Sequence, residues 1–255
     1  MLYLYHIILY NPIYNALIFF YNVIPWHDFG ISIIILTILL KVLLYPLSAK
    51  ALKSQKALQE LEPKLKVLRE QYKDKKQELA KATMELYKEE KVSPFSSCLP
   101  VLIQFPFLIA LYQAMRVSLE SKGFEVLYPF VQNPGTINSM FLGVMDLSKP
   151  NILLAVLAGL AQYFQTKMLP TKKPPMGAGA GAKDEGSMAM MNKQMMYMMP
   201  LITVFIGATL PAGLTLYWFF TTLLTIGQQV FMFDRQQKEV AVEVIKTQED
   251  KNIKT

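Results

Sequence analysis

The chain has 255 residues, 53% of them hydrophobic, and its 26 Lys and Arg outnumber its 19 Asp and Glu. This composition is typical of a polytopic membrane protein and excludes an ordinary soluble domain. A single cysteine excludes an internal disulfide, and two poorly spaced histidines predict neither a metal site nor a metal cofactor. Because 12 of the 26 basic residues lie in one loop, their excess indicates membrane topology and not DNA binding.

Residues 12–24 predict a helix, since Pro12 is well placed to open one. The rest of this segment is apolar and aromatic, so we interpret residues 1–27 as an interfacial amphipathic helix on the outer leaflet. A membrane-crossing segment over residues 4–24 remains an alternative, which the Asn-Pro pair in its middle disfavours. Three asparagines form the polar face of the predicted helix: Asn11, Asn15 and Asn22.

The first predicted span covers residues 28–48, and its apolar run, residues 31–48, contains one charge, Lys41. A cation at that depth costs roughly 3 kcal/mol on insertion scales, so we expect it to face a bundle interior or a wet cavity. Thr37 lies one helical turn before Lys41 on the same face. The alternative is that Lys41 snorkels to the inner end of its own helix. Pro46 is expected to end or kink this helix.

Residues 49–93 hold 12 Lys and Arg against 8 Asp and Glu, and they predict a helical hairpin that projects into the cytoplasm. The helical spacing of apolar residues breaks near residues 72–75, where the first arm of the hairpin should turn into the second. Pro63 lies in the first arm and should kink it. Four leucines at 3-4-3 spacing form a narrow coiled-coil seam in this arm: Leu58, Leu61, Leu65 and Leu68.

Four further spans are predicted within residues 94–233, which makes five in all. The third and fourth of the five, residues 151–168 and 194–209, are short for a hydrocarbon core of about 30 Å. Residues 169–193 include a run of Pro, Gly and Ala and predict a flexible cytoplasmic linker. Residues 234–255 form a tail of no net charge. The four predicted spans run over residues 95–115, 151–168, 194–209 and 214–233.

The distribution of Lys and Arg places the hairpin, the linker and the tail on the cytoplasmic side. The start of the first span and the turn at residues 209–213 are then outside. We therefore predict an all-α membrane protein with a core of five transmembrane helices, its N-terminal side outside and its C-terminus cytoplasmic. With no arginine-rich transit peptide in the sequence, a bacterial cytoplasmic (inner) membrane is favoured.

Five motifs follow one another along the chain. They are LTILLKVLLYPLSAKALKSQKALQELEPKLK, MELYKEEKVSPFSSCLPVLIQFPFLIALY, MDLSKPNILLAVLAGLAQYFQTKM, MMNKQMMYMMPLITVFIGATLPAGLTLYW and TTLLTIGQQ. Each motif alone is weak, and together they are highly specific. In this order they resemble the YidC/Oxa/Alb family of membrane protein insertases, and the resemblance covers essentially residues 11–233.

The resemblance implies a five-helix core preceded by an amphipathic helix, with a cytoplasmic hairpin after the first core helix. It also implies a hydrophilic groove, open to cytoplasm and lipid and sealed outside, that holds a positive charge. That charge is usually arginine, and the matching residue here is Lys41, which keeps the charge but loses the bidentate fork. The pair Thr221-Thr222 stands where family members often have Ser-Asn. The neutral tail gives little support to the ribosome docking of relatives with long basic tails.

The implied function is an insertase and chaperone for integral membrane proteins, acting alone or with the Sec translocon. Lys41 would attract an acidic or polar part of the substrate into the groove. The implied partners are nascent membrane proteins, the lipid bilayer, the Sec translocon and the translating ribosome. We expect no enzyme activity and no cofactor, since the sequence has no GxxxxGK[ST] pattern. The candidate groove residues are Thr37, Lys41, Gln104, Gln165, Tyr217, Trp218 and Thr221.

Three other functions remain to be compared with this one. A channel or secondary transporter would use Lys41 as an ion or substrate site, but no internal repeat accompanies the five unequal spans. An intramembrane enzyme would need a catalytic constellation, and the predicted spans, with the first counted from residue 29, contain neither His nor Asp. A purely structural assembly factor would need no cation in the membrane.

Overall fold

The computed structural model describes residues 2–72, 75–93, 99–168 and 186–253, and these residues are almost entirely helical. Cys98 and most of the predicted flexible linker, residues 169–185, lie outside the described residues. A short antiparallel hairpin joins β1 (Met140–Phe141) to β2 (Met145–Asp146). The described helices are α1 (Leu2–Tyr5), α2 (Asn11–Val23), α3 (Phe29–Leu43), α4 (Tyr45–Glu60), α5 (Glu62–Gln71), α6 (Lys76–Glu89), α7 (Leu99–Leu119), α8 (Ile152–Lys167), α9 (Gly186–Gly207) and α10 (Ala212–Ile253).

The N-terminal helix is longer than the sequence indicates, because a π-helical turn, His6–Tyr10, joins α1 to α2 without a break. At the end of this turn the N–H of Asn11 bonds to the carbonyl of His6, five residues back. A proline inside a helix removes one hydrogen bond and crowds the carbonyl four residues before it. The wider π turn relieves that crowding, so the Asn-Pro pair does not interrupt the helix.

Two asparagines of α2, Asn15 and Asn22, bond to the loop between α7 and α8, residues 120–151. Asn15 is only 2% exposed, and its Oδ1 accepts the N–H of Tyr128 at 2.6 Å. Its Nδ2 donates to the carbonyls of Asn11 and Val126. Nδ2 of Asn22 donates to Gln132 O at 2.7 Å. An amide carries both donors and an acceptor, so it can satisfy irregular backbone that would otherwise be buried unbonded.

The same α7–α8 loop connects several helix ends at one end of the bundle. The Tyr14 hydroxyl donates to Lys122 O at 2.7 Å, near the start of the loop. Near its end, the carbonyls of Lys149 and Leu147 accept the N–H groups of Ala212 and Gly213 at 2.9 and 3.1 Å. The loop therefore bonds both to the N-terminal helix and to the first turn of α10.

Asp28 joins this loop to α3. Its Oδ1 accepts the N–H of Ile31 at 2.9 Å and caps the helix, while its Oδ2 accepts the N–H of Leu142 at 2.6 Å. Leu142 has a φ of 51°, a left-handed conformation that is unfavourable for a leucine. Gly30 is required next to this contact, because a Cβ there would lie 2.2 Å from Cδ2 of Phe141. The first turn of α3 and the β hairpin thus fix each other's position.

The apolar core lies between α2, α3, α7 and α10. Helix α8 packs against both α9 and α10. The α8–α9 contact is close because Gly159 offers no side chain: a Cβ there would lie 2.4 Å from Val204 Cγ2. Thr203 and Gln162 form a hydrogen bond across the same pair of helices. Large, fully buried core side chains include Tyr14, Leu17, Ile18, Phe29, Ile33, Leu36, Leu111, Met115 and Leu216.

Helix α3 ends at Leu43, before the inner end of the predicted first span, and α4 begins at Tyr45 in a new direction. The break lies where Pro46 was expected to end or kink the helix, since proline cannot donate to the carbonyl four residues earlier. By length and composition, no single helix in the described ranges qualifies as a membrane span. The bent pair Phe29–Leu43 and Tyr45–Gln71 qualifies together, across an angle of 69°.

Helices α5 and α6 pack against each other through a small apolar cluster of Leu61, Leu65 and Tyr87. Lys64, near the start of α5, forms an ion pair with Glu90, just after α6, so the two helices run in opposite directions. Pro63 is the second residue of α5, where its missing N–H is tolerated. The proline therefore begins a new helix after the break at Leu61 rather than kinking a continuous one.

Two helices extend beyond the predicted boundaries. Helix α9 begins at Gly186, inside the predicted linker 169–193, and α10 continues to Ile253 through most of the predicted tail. Both extensions are rich in residues that favour helices, chiefly Met, Glu, Gln and Lys. These residues have no strong apolar periodicity, so their composition predicted a linker and a tail and not helices.

We predict that Asp28→Ala destabilises the protein by about 2–4 kcal/mol, because it removes both a helix cap and a charged acceptor for the strained Leu142. Asp28→Asn keeps a capping oxygen and should lose less than half of this. Thermal unfolding of the purified protein in detergent measures the difference.

The matched control is Asp146→Ala in the same loop. Hydrogen bonds from the side chain and backbone of Ser148 hold the pKa of Asp146 well below its usual range, but these bonds lie within one exposed turn. We expect a loss below about 1 kcal/mol for this variant. Equal losses for the two alanine variants would contradict a special role of Asp28.

Candidate functional site

A cavity of about 50 Å³ lies between α3, α7 and α10, beside the start of α4, and both polar and apolar side chains line it. Helix α3 contributes one face of side chains spaced by three and four residues, as a helix requires. Helix α7 contributes two residues three apart, and α10 two residues four apart. The lining residues are Thr37, Leu40, Lys41, Leu44, Ser48, Gln104, Phe107, Tyr217 and Thr221.

The one charged lining residue is Lys41, and its ammonium is directed across the cavity to α10. Nζ of Lys41 donates to Oγ1 of Thr225 at 2.6 Å, and Oγ1 of Thr225 donates in turn to the carbonyl of Thr221 at 2.7 Å. Among the described residues, no carboxylate forms an ion pair with Lys41. The cavity therefore carries a positive charge that hydroxyl and carbonyl dipoles stabilise but do not neutralise.

Two hydroxyls of α10 are buried at the cavity without a hydrogen bond. Tyr217 is 2% exposed, and Thr221 lies one turn further along the helix. Neither hydroxyl meets hydrogen-bond geometry with the other or with another described residue. By contrast, the hydroxyl of Thr37 donates to Ile33 O at 2.6 Å within its own helix. Tyr217 and Thr221 can therefore donate to a polar group that enters the cavity, whereas the proton of Thr37 is already engaged.

One further polar pair joins α4 to α10 beside the cavity. Nε2 of Gln228 donates to Oγ of Ser48 at 3.0 Å, and Ser48 lies four residues beyond the break at Leu44. The hydroxyl of Ser48 also lies 3.0 Å from the carbonyl of Tyr45. The direction of α4 after the break is thus held by a neutral side-chain pair.

Five of the seven candidate residues named from the sequence line this cavity together: Thr37, Lys41, Gln104, Tyr217 and Thr221. The other two do not line it. Gln165 belongs to α8, and Trp218 belongs to α10 next to Tyr217; both side chains are half-buried. Whether any of the seven contacts a substrate stays a prediction.

Sequence reasoning missed two polar residues of this region, Ser48 and Thr225. A signal for Thr225 was available, because positions 217, 221 and 225 fall on one face of a helix. Ser48 had no such signal, since its approach to Gln228 depends on the change of direction after Leu44. The apolar lining residues Leu40, Leu44 and Phe107 could not be distinguished from ordinary core residues.

The family model described as 60Kd inner membrane protein matches residues 19–239. Among curated proteins, the chain is similar to the membrane protein insertase YidC of Geotalea daltonii, 36% identical over 224 residues, and to that of Syntrophus aciditrophicus, 37% identical over 223 residues. Each match covers 87% of this chain but only 36% and 35% of the relative. The chain thus spans little more than a third of the length of these relatives.

A solved structure is also similar over most of the chain. It is a crystal structure of an active YidC insertase with the first transmembrane domain resolved, and the TM-score is 0.59 at 26% sequence identity. The similarity covers 86% of this chain and 45% of the other. The mostly helical fold described above therefore resembles that of a known insertase.

We predict that Tyr217→Phe leaves the unfolding temperature unchanged or raises the stability by up to about 1 kcal/mol, because it removes a buried hydroxyl that meets hydrogen-bond geometry with none of the described residues. Thermal unfolding in detergent is the measurement. The control is Tyr14→Phe, which removes a hydroxyl bonded to Lys122 O and should cost about 1 kcal/mol. A loss for Tyr217→Phe as large as for Tyr14→Phe would show that the Tyr217 hydroxyl is satisfied within the folded protein.

Proposed function

Because this chain belongs to the family of the 60Kd inner membrane protein, we propose that it is a membrane protein insertase and chaperone of the bacterial inner membrane. In this proposal it inserts integral membrane proteins and helps them fold, alone or with the Sec translocon. The insertases among its relatives, and the similarity to an active insertase structure, support the assignment. The single observation that carries the mechanism is the cavity that holds an unneutralised cation, Lys41, between apolar helices.

Insertion is limited by the polar flank of a substrate, which must pass hydrocarbon. An unbonded amide or hydroxyl costs several kcal/mol in an apolar medium, and a charged group costs more. A cavity that contains hydroxyls, an amide and a cation lowers this cost along part of the path. In the proposed mechanism Lys41 attracts an acidic flank, and the hydroxyls of Tyr217 and Thr221 bind its polar groups.

The apolar segment of the substrate would follow a different surface. Helices α8 and α9 expose large apolar side chains on their outer faces, which suit contact with acyl chains or with a substrate helix. Burial of each CH₂ group in lipid is worth about 0.8 kcal/mol, so partitioning of a span can drive the reaction without ATP. These exposed residues include Ile152, Leu153, Leu160, Phe164, Leu201 and Phe205.

The proposed topology has five spans, with the α7–α8 loop outside and the α5–α6 pair in the cytoplasm. The hydrogen bonds of the loop to Tyr14, Asp28 and Gly213 support a closed outer end, because they join the ends of several helices. The α5–α6 pair lies beyond the break at Leu44, on the side of the cavity nearest Ser48. From there it could meet nascent chains, the translating ribosome or the Sec translocon.

The test is insertion of a single-span protein with a short acidic outer tail into proteoliposomes that contain only this chain. We predict that Lys41→Ala lowers the insertion rate at least about tenfold, the effect of losing about 1.4 kcal/mol of attraction, and that Lys41→Arg restores it. Lys53→Ala is the matched control, since it removes an exposed lysine of α4 and changes the net charge equally.

Each outcome has a definite meaning. If the wild-type chain inserts nothing and instead conducts solutes through empty proteoliposomes, the channel alternative replaces the insertase. If Lys41→Ala inserts as fast as the wild type, the protein is an insertase in which the cavity cation has no role. If Lys53→Ala and Lys41→Ala are equally impaired, total charge matters and its place in the cavity does not.

A further inference from the structure

The position of the Lys41 ammonium depends on a residue of another helix. A lysine side chain has four rotatable bonds and ends in a strongly hydrated charge, so nothing in its own stem fixes where the charge lies. In this structure Nζ is 2.6 Å from Oγ1 of Thr225, on α10. That is the one hydrogen bond of Lys41 to a described side chain.

Thr225 is oriented as an acceptor. Its hydroxyl hydrogen is committed to the carbonyl of Thr221, four residues earlier on the same helix, at 2.7 Å. The oxygen therefore presents lone pairs, and the bonded carbonyl increases their negative charge. Such a group stabilises a cation and repels an anion. A bond from an ammonium to an oriented hydroxyl is charge-assisted and stronger than a neutral one.

The arrangement separates two functions along one face of α10. Thr225 holds the cation, while the hydroxyls of Thr221 and Tyr217, one and two turns earlier, have no partner among the described residues. A single oxygen acceptor also suits the point charge of lysine better than the planar fork of arginine.

We propose that Thr225 is a positioning residue for substrate binding: it holds the Lys41 ammonium at one end of the cavity, so that a substrate carboxylate meets the cation there and its neighbouring polar groups meet Tyr217 and Thr221. This inference rests on the proposed function, because it assigns Thr225 a role only through Lys41. It predicts that Thr225 matters when Lys41 is present and has no effect when Lys41 is absent.

The neighbouring Thr222 provides a matched control. Its hydroxyl donates to the carbonyl of Trp218 at 2.9 Å, the same four-residue bond that Thr225 makes to Thr221. Thr222 is 4% exposed and does not line the cavity. A change from Thr to Val keeps the side-chain shape at either position. Only at residue 225 does it remove an acceptor of the Lys41 ammonium.

The experiment measures insertion of the acidic-tailed single-span substrate by proteoliposomes that contain the full chain. We expect Thr225→Val to slow insertion about tenfold, as the loss of one charge-assisted hydrogen bond predicts, and Thr225→Ser to remain within about twofold of the wild type. Thr222→Val should also remain within about twofold. In a Lys41→Met background, Thr225→Val should cause no further loss.

A second measurement applies if the Lys41→Met protein inserts too slowly for this comparison. The same four proteins, wild type, both single variants and the double variant, are unfolded thermally in detergent. We expect Thr225→Val to lower the unfolding temperature when Lys41 is present and to leave it unchanged when residue 41 is Met. This readout tests the contact even where no insertion is detectable.

The possible failures can be distinguished. If Lys41→Met inserts like the wild type, the cation mechanism of the proposed function fails and Thr225 has nothing to position. If Lys41→Met is impaired and Thr225→Val is not, the present inference alone is wrong. Equal losses for Thr225→Val and Thr222→Val, or a Thr225→Val loss that persists without Lys41, would assign Thr225 to the packing of α10 and overturn it.

Discussion

The two hydrogen bonds of the Asp28 carboxylate fix the start of α3, and the position of the cavity follows from them. One oxygen caps the first turn of the helix and the other accepts the N–H of Leu142, so one side chain positions both the helix and the loop. Lys41 lies 13 residues after Asp28, which is roughly 20 Å along a helix. Because a helix is stiff over that length, the cap sets the depth at which the cation enters the bundle.

The two ends of the bundle are held by different kinds of contact. At the Asp28 end, the α7–α8 loop bonds through backbone groups to α2, α3 and α10, and large side chains such as Tyr14 and Leu147 are fully buried there. At the other end, α3 breaks at Leu44 and the next helix is held by the Ser48–Gln228 pair. Ala51 and Leu52 of α4 are also buried, so apolar packing adds to this polar contact.

The sequence was sufficient for the family and for the central residue of the site. The ordered motifs predicted the family, which the family model confirms, and the cost of an intramembrane charge drew attention to Lys41. Helical spacing added Thr37, and Gln104, Tyr217 and Thr221 were added as polar residues within apolar runs. The same reasoning could not separate them from Gln165, because a polar residue in a span faces whichever neighbour can bond it.

What sequence reasoning missed are contacts between distant segments. The asparagines of α2 are predicted to form the polar face of an interfacial helix, and in the structure Asn15 and Asn22 bond to loop backbone more than 100 residues away. The Ser48–Gln228 contact depends on the angle at Leu44, which no local pattern specifies. Thr225 was visible as a residue of a polar helix face, but its role depends on which way its hydroxyl points, and only the bond to Thr221 decides that.

The resemblance to the insertase family leads us to expect arginine at position 41, and a lysine there changes what the surrounding helices must provide. A guanidinium brings five donors in a rigid plane and can be held by several weak acceptors, whereas an ammonium concentrates its charge on one small group. Burial of such a group requires at least one acceptor of fixed orientation. Thr225, with its hydrogen committed to Thr221 O, meets this requirement with a neutral side chain. A carboxylate at this position would neutralise the charge that the substrate is proposed to meet, so a hydroxyl stabilises the cation while leaving its field in the cavity.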